Sequence, residues 1–221
     1  EHNNLPQTGG EIYASTITER VVGKHIAPHA IEMAALWAVM TRLKAFDMEP
    51  VETSMKEAVK SLSPYEKLKL YDQGQVPERF STREAKELRH LIPIFYEASM
   101  QDRDYEGMLG ASAREIRTLL LNAANHTGFN CLSPQAVFEE IEHLLDNKAF
   151  YAFLNAEVEN GFFDHRAFLN EVRSSYLATV NDELCDAMGL APDESYGELF
   201  GRYVTHISHW VKNSRMMDEQ T

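Results

Sequence analysis

The chain has 221 residues, of which 44% are apolar and 25% charged, and a formal net charge of -13. These are ordinary globular proportions that exclude disordered, fibrous and disulfide-dense classes, and a chain of this length buries roughly 70% of its unfolded surface without covalent staples. The charge is uneven: residues 131–221 hold 16 acidic and 6 basic side chains against 18 and 15 in residues 1–130, and an acidic region of this kind argues against nucleic acid, which is bound by basic surface that displaces counterions.

The opening stretch, Glu1 to Gly10, has neither a basic n-region nor an apolar core, so no signal peptide is predicted. Helix-start signals then recur as Thr8-x-x-Glu11, Ser54-x-x-Glu57, Ser63-x-x-Glu66, Ser81-x-x-Glu84 and Ser112-x-x-Glu115. In each, the hydroxyl can accept from the amide three residues on while the glutamate reaches back to the cap amide, satisfying two orphan donors. Pro28, Pro64 and Pro134 fit the first helical position, which their fixed φ favours. The predicted helices run over 11–23, 28–44, 54–61, 64–72, 82–100, 113–126, 134–155, 165–188 and 194–213.

Within 28–44, Ile31, Ala35, Ala38, Val39 and Leu43 follow helical spacing and predict one buried stripe. Pro93 removes a donor inside 82–100 and predicts a kink or a break. Gly74, Gly128 and Gly189 are expected helix stops. The reading is an all-α, multi-helix bundle of about eight to ten helices, with no signal for strands. Soft joints fall at Phe46 to Thr53 and at Asn125 to Pro134. The charge change at the second predicts a boundary near residue 130, giving a first helical subdomain over 1–130 and an acidic one over 131–221. The longest apolar run, Met33 to Met40, is far short of the ~20 residues that span a bilayer. Cys131 and Cys185 lack metal-type spacing and predict reduced thiols in a cytoplasmic protein.

The most informative stretch is Leu109-Gly-Ala-Ser-Ala-Arg-Glu-Ile-Arg-Thr-Leu-Leu-Leu-Asn-Ala-Ala124. Gly110 permits a tight approach, Ser112 caps, and Arg114 projects from the first turn of a helix whose N-terminus favours anions. A guanidinium there can grip phosphate oxygens in a fork that lysine does not reproduce. Arg114 is therefore a candidate phosphate sensor, and Gly110, Ser112 and Arg117 stand with it as the candidate cofactor-binding residues. The alternative is a well-capped amphipathic helix whose Arg114 and Arg117 are solvated or pair with Glu115 and Glu106.

This stretch resembles the sensor-two helix in the lid of AAA+ ATPases. Glu11-Ile-Tyr-Ala-Ser, Arg20-Val-Val-Gly-Lys-His, Pro28-His-Ala-Ile-Glu-Met-Ala-Ala-Leu-Trp-Ala-Val-Met-Thr-Arg-Leu43, Gly74-Gln-Val-Pro-Glu-Arg79 and His206-Ile-Ser-His-Trp-Val211 resemble the C-terminal part of the PrkA family of bacterial serine protein kinases. That resemblance runs over nearly the whole chain. It implies a lid-like first part, ATP with Mg in the full-length protein but none held tightly by this segment, and an N-terminal AAA-type module of the same chain as partner. A protein substrate or regulator and self-association into a homo-oligomer are further expectations, while neither nucleic acid nor membrane is an expected partner. Arg114 carries over as the sensor-two position by motif match; no catalytic residue does.

A self-sufficient kinase needs a glycine loop, a strand lysine, an HRD-type aspartate and a DFG aspartate. The sequence has none of these, nor a GxxxxGK[ST] loop. Asp164-His165-Arg166 has the wrong order, and Asp164 reads better as a helix cap. His206 and His209 are spaced to share a metal with a third donor such as Glu198, but beside Trp210 they read as a packed face, so no metal site is expected. His25 and His29 read as structural or surface residues. Phe150, Tyr151, Phe153, Phe162, Phe163 and Phe168 read as core, with a partner groove as the alternative. The run Glu139, Glu140, Glu142 and Asp146 reads as a solvated face or a dock for a basic partner.

Overall fold

The structure is a computed structural model that describes residues 13–101, 106–189, 200–201, 203–208 and 210. After a helical stretch at 13–16 come α1 (Glu19–Val22), α2 (Ala30–Met40), α3 (Lys56–Lys60), α4 (Pro64–Gln73), α5 (Thr82–Gln101), α6 (Ala113–Asn125), α7 (Pro134–Asp146) and α8 (His165–Met188). Two 3-10 turns, Lys148–Phe150 and Ala152–Asn155, link α7 to α8. Among the described residues there is no strand, only isolated bridges of Ile26 with Leu132 and Glu159 with Phe162. None of the described helices is long and apolar enough to cross a membrane.

Local signals set many of the boundaries. Ser63 and Ser112 form complete capping boxes with Glu66 and Glu115, and Ser81 exchanges the same pair of hydrogen bonds with Glu84. Ser133 caps α7 through the Ala136 amide, with Pro134 in the first turn. Gly74, at φ 64°, ends α4. Glu66 does double duty, since both its oxygens also take the Arg79 guanidinium. That fork holds the Glu66 carboxyl below the usual carboxylate range and fastens the segment after Gly74 back onto α4.

Other expectations give way to tertiary structure. The helix expected over 11–23 is interrupted at Ile17 and Thr18, because Ile17 turns fully into the core. Ser54 does not cap α3, which follows Met55 without a side-chain cap. Pro28 lies in the turn before α2, whose cap is His29 at φ 62°. Gly128 is not the α6 stop, since His126 ends that helix with φ -58°. The helix runs through Pro93 without a break, and the helix expected over 134–155 ends at Asp146. Helix 194–213 falls partly outside the described residues, as does the Thr8 cap.

Two compact units are distinguished, Glu1–Ser174 and Ser175–Thr221. In the first, α2, α6 and α7 pack together. Ala30, Met33, Ala34, Ala35, Leu36, Trp37, Ala38 and Met40 of α2 are all buried, so this helix is a central rod rather than the one-stripe element its spacing predicts. The boundary predicted near residue 130 is instead a turn inside this unit. Ala27 and Leu132 donate backbone bonds of 2.9 Å to Leu132 and His25, and Lys24 Nζ donates to the carbonyls of His126 and Phe129. Beside this bundle α3, α4 and α5 enclose a second cluster of Val51, Met55, Val59, Leu70, Leu88 and Phe95. The second unit contains the end of α8, stopped by Gly189 at φ 66°, and helical residues at 200–201, 203–208 and 210.

The α8 start is anchored by Asp164, whose carboxylate accepts from the Ala167 amide at 3.0 Å, as its cap-like position predicts. The next residue, His165, is 5% exposed and sits edge-on to Trp37, Phe153 and Phe168. Its Nε2 is 3.1 Å from the Phe153 carbonyl, so the neutral ring donates there, while Nδ1 has no partner. Burial pushes its pKa down, opposed by the Phe153 bond and Asp164. The unfolded chain therefore takes up a proton below pH about 6.5 that the folded chain resists. Stability is full above that pH and falls as the pH drops from about 6.5 toward the lowered folded value. Thermal unfolding followed by circular dichroism between pH 8 and 5 checks this: His165→Phe flattens the acid-side decline relative to the parent chain.

Candidate functional site

The segment that precedes α6 is held against the C-terminal end of α2 by a run of hydrogen bonds. Gly107 N–H donates to the Arg42 carbonyl at 3.1 Å, Arg42 Nε to the Ala111 carbonyl at 2.9 Å, and Ala111 N–H to Thr41 Oγ1 at 2.9 Å. Gly110 stands at φ 127°, and a Cβ there would lie 2.5 Å from Arg42 Cγ and 2.8 Å from the Thr41 carbonyl oxygen. The close approach read from the sequence at Gly110 is thus a backbone contact with α2.

Ser112 then starts α6, and its capping box brings the Glu115 carboxylate to the helix N-terminus, 2.6 Å from the Ser112 amide. Arg114 lies in the first turn and Arg117 three residues further on, and both are exposed. Among the described residues neither guanidinium makes an ion pair. The two acids that offered an alternative are engaged elsewhere, Glu115 in the cap and Glu106 with Lys67. The four predicted residues therefore share one corner, two of them building it and two projecting from it.

Behind this corner lies a feature that the sequence reading did not find. Lys67 of α4 is 2% exposed, and its Nζ donates to Glu106 Oε1 at 2.6 Å and to the Lys44 carbonyl at 2.7 Å. The same Glu106 oxygen accepts from the Lys44 amide at 3.0 Å. The ammonium also lies 4.3 Å from the Phe46 ring centroid and 5.1 Å from that of Tyr71. Burial pulls the Lys67 pKa down while Glu106 opposes the fall; burial and the Glu106 charge push the Tyr71 phenol up. One salt bridge thus ties α4, the α2–α3 connection and the approach to α6. The available signal was a lysine one turn before Tyr71 in an otherwise apolar register, but its acid lies 39 residues away.

Lys67 and Glu106 form the inner part of a cleft of about 790 Å³, a size typical of ligand sites. Phe46, Phe95 and Phe163 are among its walls, and Asp47, Glu49 and Glu159 contribute exposed carboxylates. Phe163 occupies a left-handed backbone conformation, φ 65°, which costs a bulky residue about 1–3 kcal/mol. Arg114 does not line the cleft.

The remaining candidates separate. Phe153, Phe162 and Phe168 are core, whereas Phe150 is 82% exposed. The acidic run of α7 is occupied internally: Glu142 and Asp146 pair with Arg173 and Arg166, Glu140 accepts from Asn122, and Glu139 lies 3.6 Å from His126. His25 and His29 pair with Glu19 and Glu32. His209 and Glu198 lie outside the described residues. Within the described residues no group of three or more His, Cys, Asp or Glu is placed to hold a metal.

The described residues are helical, with two arginines and a cleft exposed, and the sequence lacks a phosphate-cradling loop. The family model of the PrkA serine protein kinase C-terminal domain matches residues 65–221, and the chain belongs to that family. It is also similar to the ATP-dependent protease PrkA of Bacillus subtilis (strain 168), at 22% identity over 211 residues. That alignment takes in 95% of this chain but only 29% of the relative. No solved structure matches the chain.

Two substitutions probe this corner. Lys67→Met strands a nearly buried Glu106 carboxylate and is expected to cost about 3–5 kcal/mol, while the double change Lys67→Met with Glu106→Leu recovers much of it; denaturant unfolding of the four forms gives the coupling. Gly110→Ala both strains a left-handed residue and forces a methyl into the Thr41 carbonyl, with an expected loss of about 1–3 kcal/mol by the same measurement.

Proposed function

We propose that the chain is the kinase-related regulatory region of a PrkA-type ATP-dependent serine protein kinase, incomplete as a catalyst alone. In this reading Arg114, with Arg117 beside it, reports the state of a nucleotide and its Mg held by an AAA-type module elsewhere in the full-length protein. The observation that carries it is a pair of exposed guanidinium groups, three residues apart at the start of a capped helix and without an ion pair among the described residues. Both acids that would otherwise neutralise them are committed to structural bonds. Closure onto a terminal phosphate supplies a contact present in one nucleotide state and absent in the other, which is what a switch requires.

A second reading, a non-catalytic partner-binding module of an AAA+ machine, is favoured by the missing P-loop and kinase motifs. The two separate on phosphotransfer by the isolated chain. Transfer to casein by these 221 residues would show a complete catalyst and overturn the incompleteness that both readings share. For the sensing role, Arg114→Ala in the full-length protein is expected to lower ATP turnover about tenfold to a hundredfold, the worth of a charged hydrogen bond of ~1.5–3 kcal/mol. Unchanged turnover removes Arg114 from the mechanism.

A further inference from the structure

We infer that the cleft beside Lys67 docks a basic peptide segment, taking an arginine or lysine side chain between its aromatic walls and under its unpaired carboxylates. The charge balance sets the sign of the ligand. Four carboxylates, Asp47, Glu49, Glu106 and Glu159, line the cleft against two ammonium groups, Lys44 and Lys67. Glu106 and Lys67 neutralise each other at the inner end. Asp47, Glu49 and Glu159 have no cationic partner among the described residues, and Asp47 only accepts the Glu49 amide at 2.9 Å. In the acidic run of α7, by contrast, Glu142 and Asp146 face the cations Arg173 and Arg166.

The walls suit an organic cation. Phe46 already holds one ammonium at 4.3 Å from its ring centroid, and Phe95 and Phe163 extend the aromatic surface. Rings near carboxylates attract guanidinium and ammonium groups through their quadrupole while covering the aliphatic stem. A bare metal ion is a poor match, because no three ligating side chains among the described residues are grouped to hold one. The Glu159–Phe162 turn is closed by backbone bonds of 3.1 and 2.8 Å, so Phe163 and Glu159 are presented by a fixed element.

The test is fluorescence anisotropy of a labelled peptide of alternating arginine and alanine, titrated with the 221-residue chain at about 0.15 M salt. Binding is expected, and it should weaken roughly fivefold or more both in Asp47→Asn with Glu159→Gln and in Phe163→Ala. The double variant Glu78→Gln with Glu87→Gln removes the same charge from exposed positions that do not line the cleft, and should leave affinity unchanged. Circular dichroism verifies that all forms are folded. Equal weakening by the control pair would reduce the effect to bulk attraction by an acidic chain and overturn the site, as would absence of binding. Spermine binding as tightly as the peptide would put a small polyamine in its place and equally defeat the inference. The result does not depend on Arg114 or on a nucleotide.

Discussion

Taking the Lys67 ammonium out of water costs several kcal/mol, and the folded chain bears that cost only because Glu106, the Lys44 carbonyl and the Phe46 ring meet it at once. These partners come from three separate stretches. Their simultaneous arrival is possible only when α4 is packed, the connection after α2 has turned back, and the approach to α6 is in place. The ion pair therefore ties those stretches to one register, since losing either partner is costly while replacing both by apolar side chains recovers much of the loss. The bonds from Gly107, Arg42 and Ala111 continue from Glu106 to the start of α6, so the position of Arg114 follows from that register.

How much of this could be read from the sequence depends on the range of the responsible interaction. Ser63, Ser81 and Ser112 cap as predicted because every partner lies within three residues, and Pro64, Pro134, Gly74 and Asp164 act through equally local geometry. Ser54 fails although its motif is the same, because Met55 and Val59 are drawn into the cluster under α5 and the helix starts at Lys56. The single helix expected over 134–155 gives way for a related reason: Phe153 and Leu154 must enter the core, and two 3-10 turns take them there. Gly110 was legible as a close approach, but not the surface it approaches. Lys67 was illegible because a lysine in a helix is ordinarily solvated, and its acid is fixed only by the tertiary fold.

The same distinction applies to charge. A count places most of the negative excess after residue 130 and points to α7 as the acidic face. The structure pairs Asp146 and Glu142 with Arg166 and Arg173, bonds Glu140 to the Asn122 amide and sets Glu139 3.6 Å from His126. Asp47, Glu49 and Glu159, which have no cationic partner among the described residues, come from the more nearly neutral stretch and from a turn far away in sequence. Net charge bounds the sign of what an acidic protein attracts, and pairing decides where.

The chain matches a C-terminal domain model and spans 29% of a longer relative, and its exposed arginines stand at one capped helix end. The capping box of α6 engages the Ser112 and Glu115 amides and seats a carboxylate at the helix N-terminus. An anion therefore has to be met by side chains reaching outward from that end, and Arg114 and Arg117 are the side chains there. With the Glu115 carboxylate already seated beneath them, the grip proposed for them on a phosphate is weaker than that of an open helix terminus, and it depends on oxygens being brought to them by another element. That dependence is what a sensing residue needs and what a binding residue does not. A site that held nucleotide tightly by itself would gain nothing from closure, whereas one that completes its contacts only on closure converts the phosphate count into a difference in position.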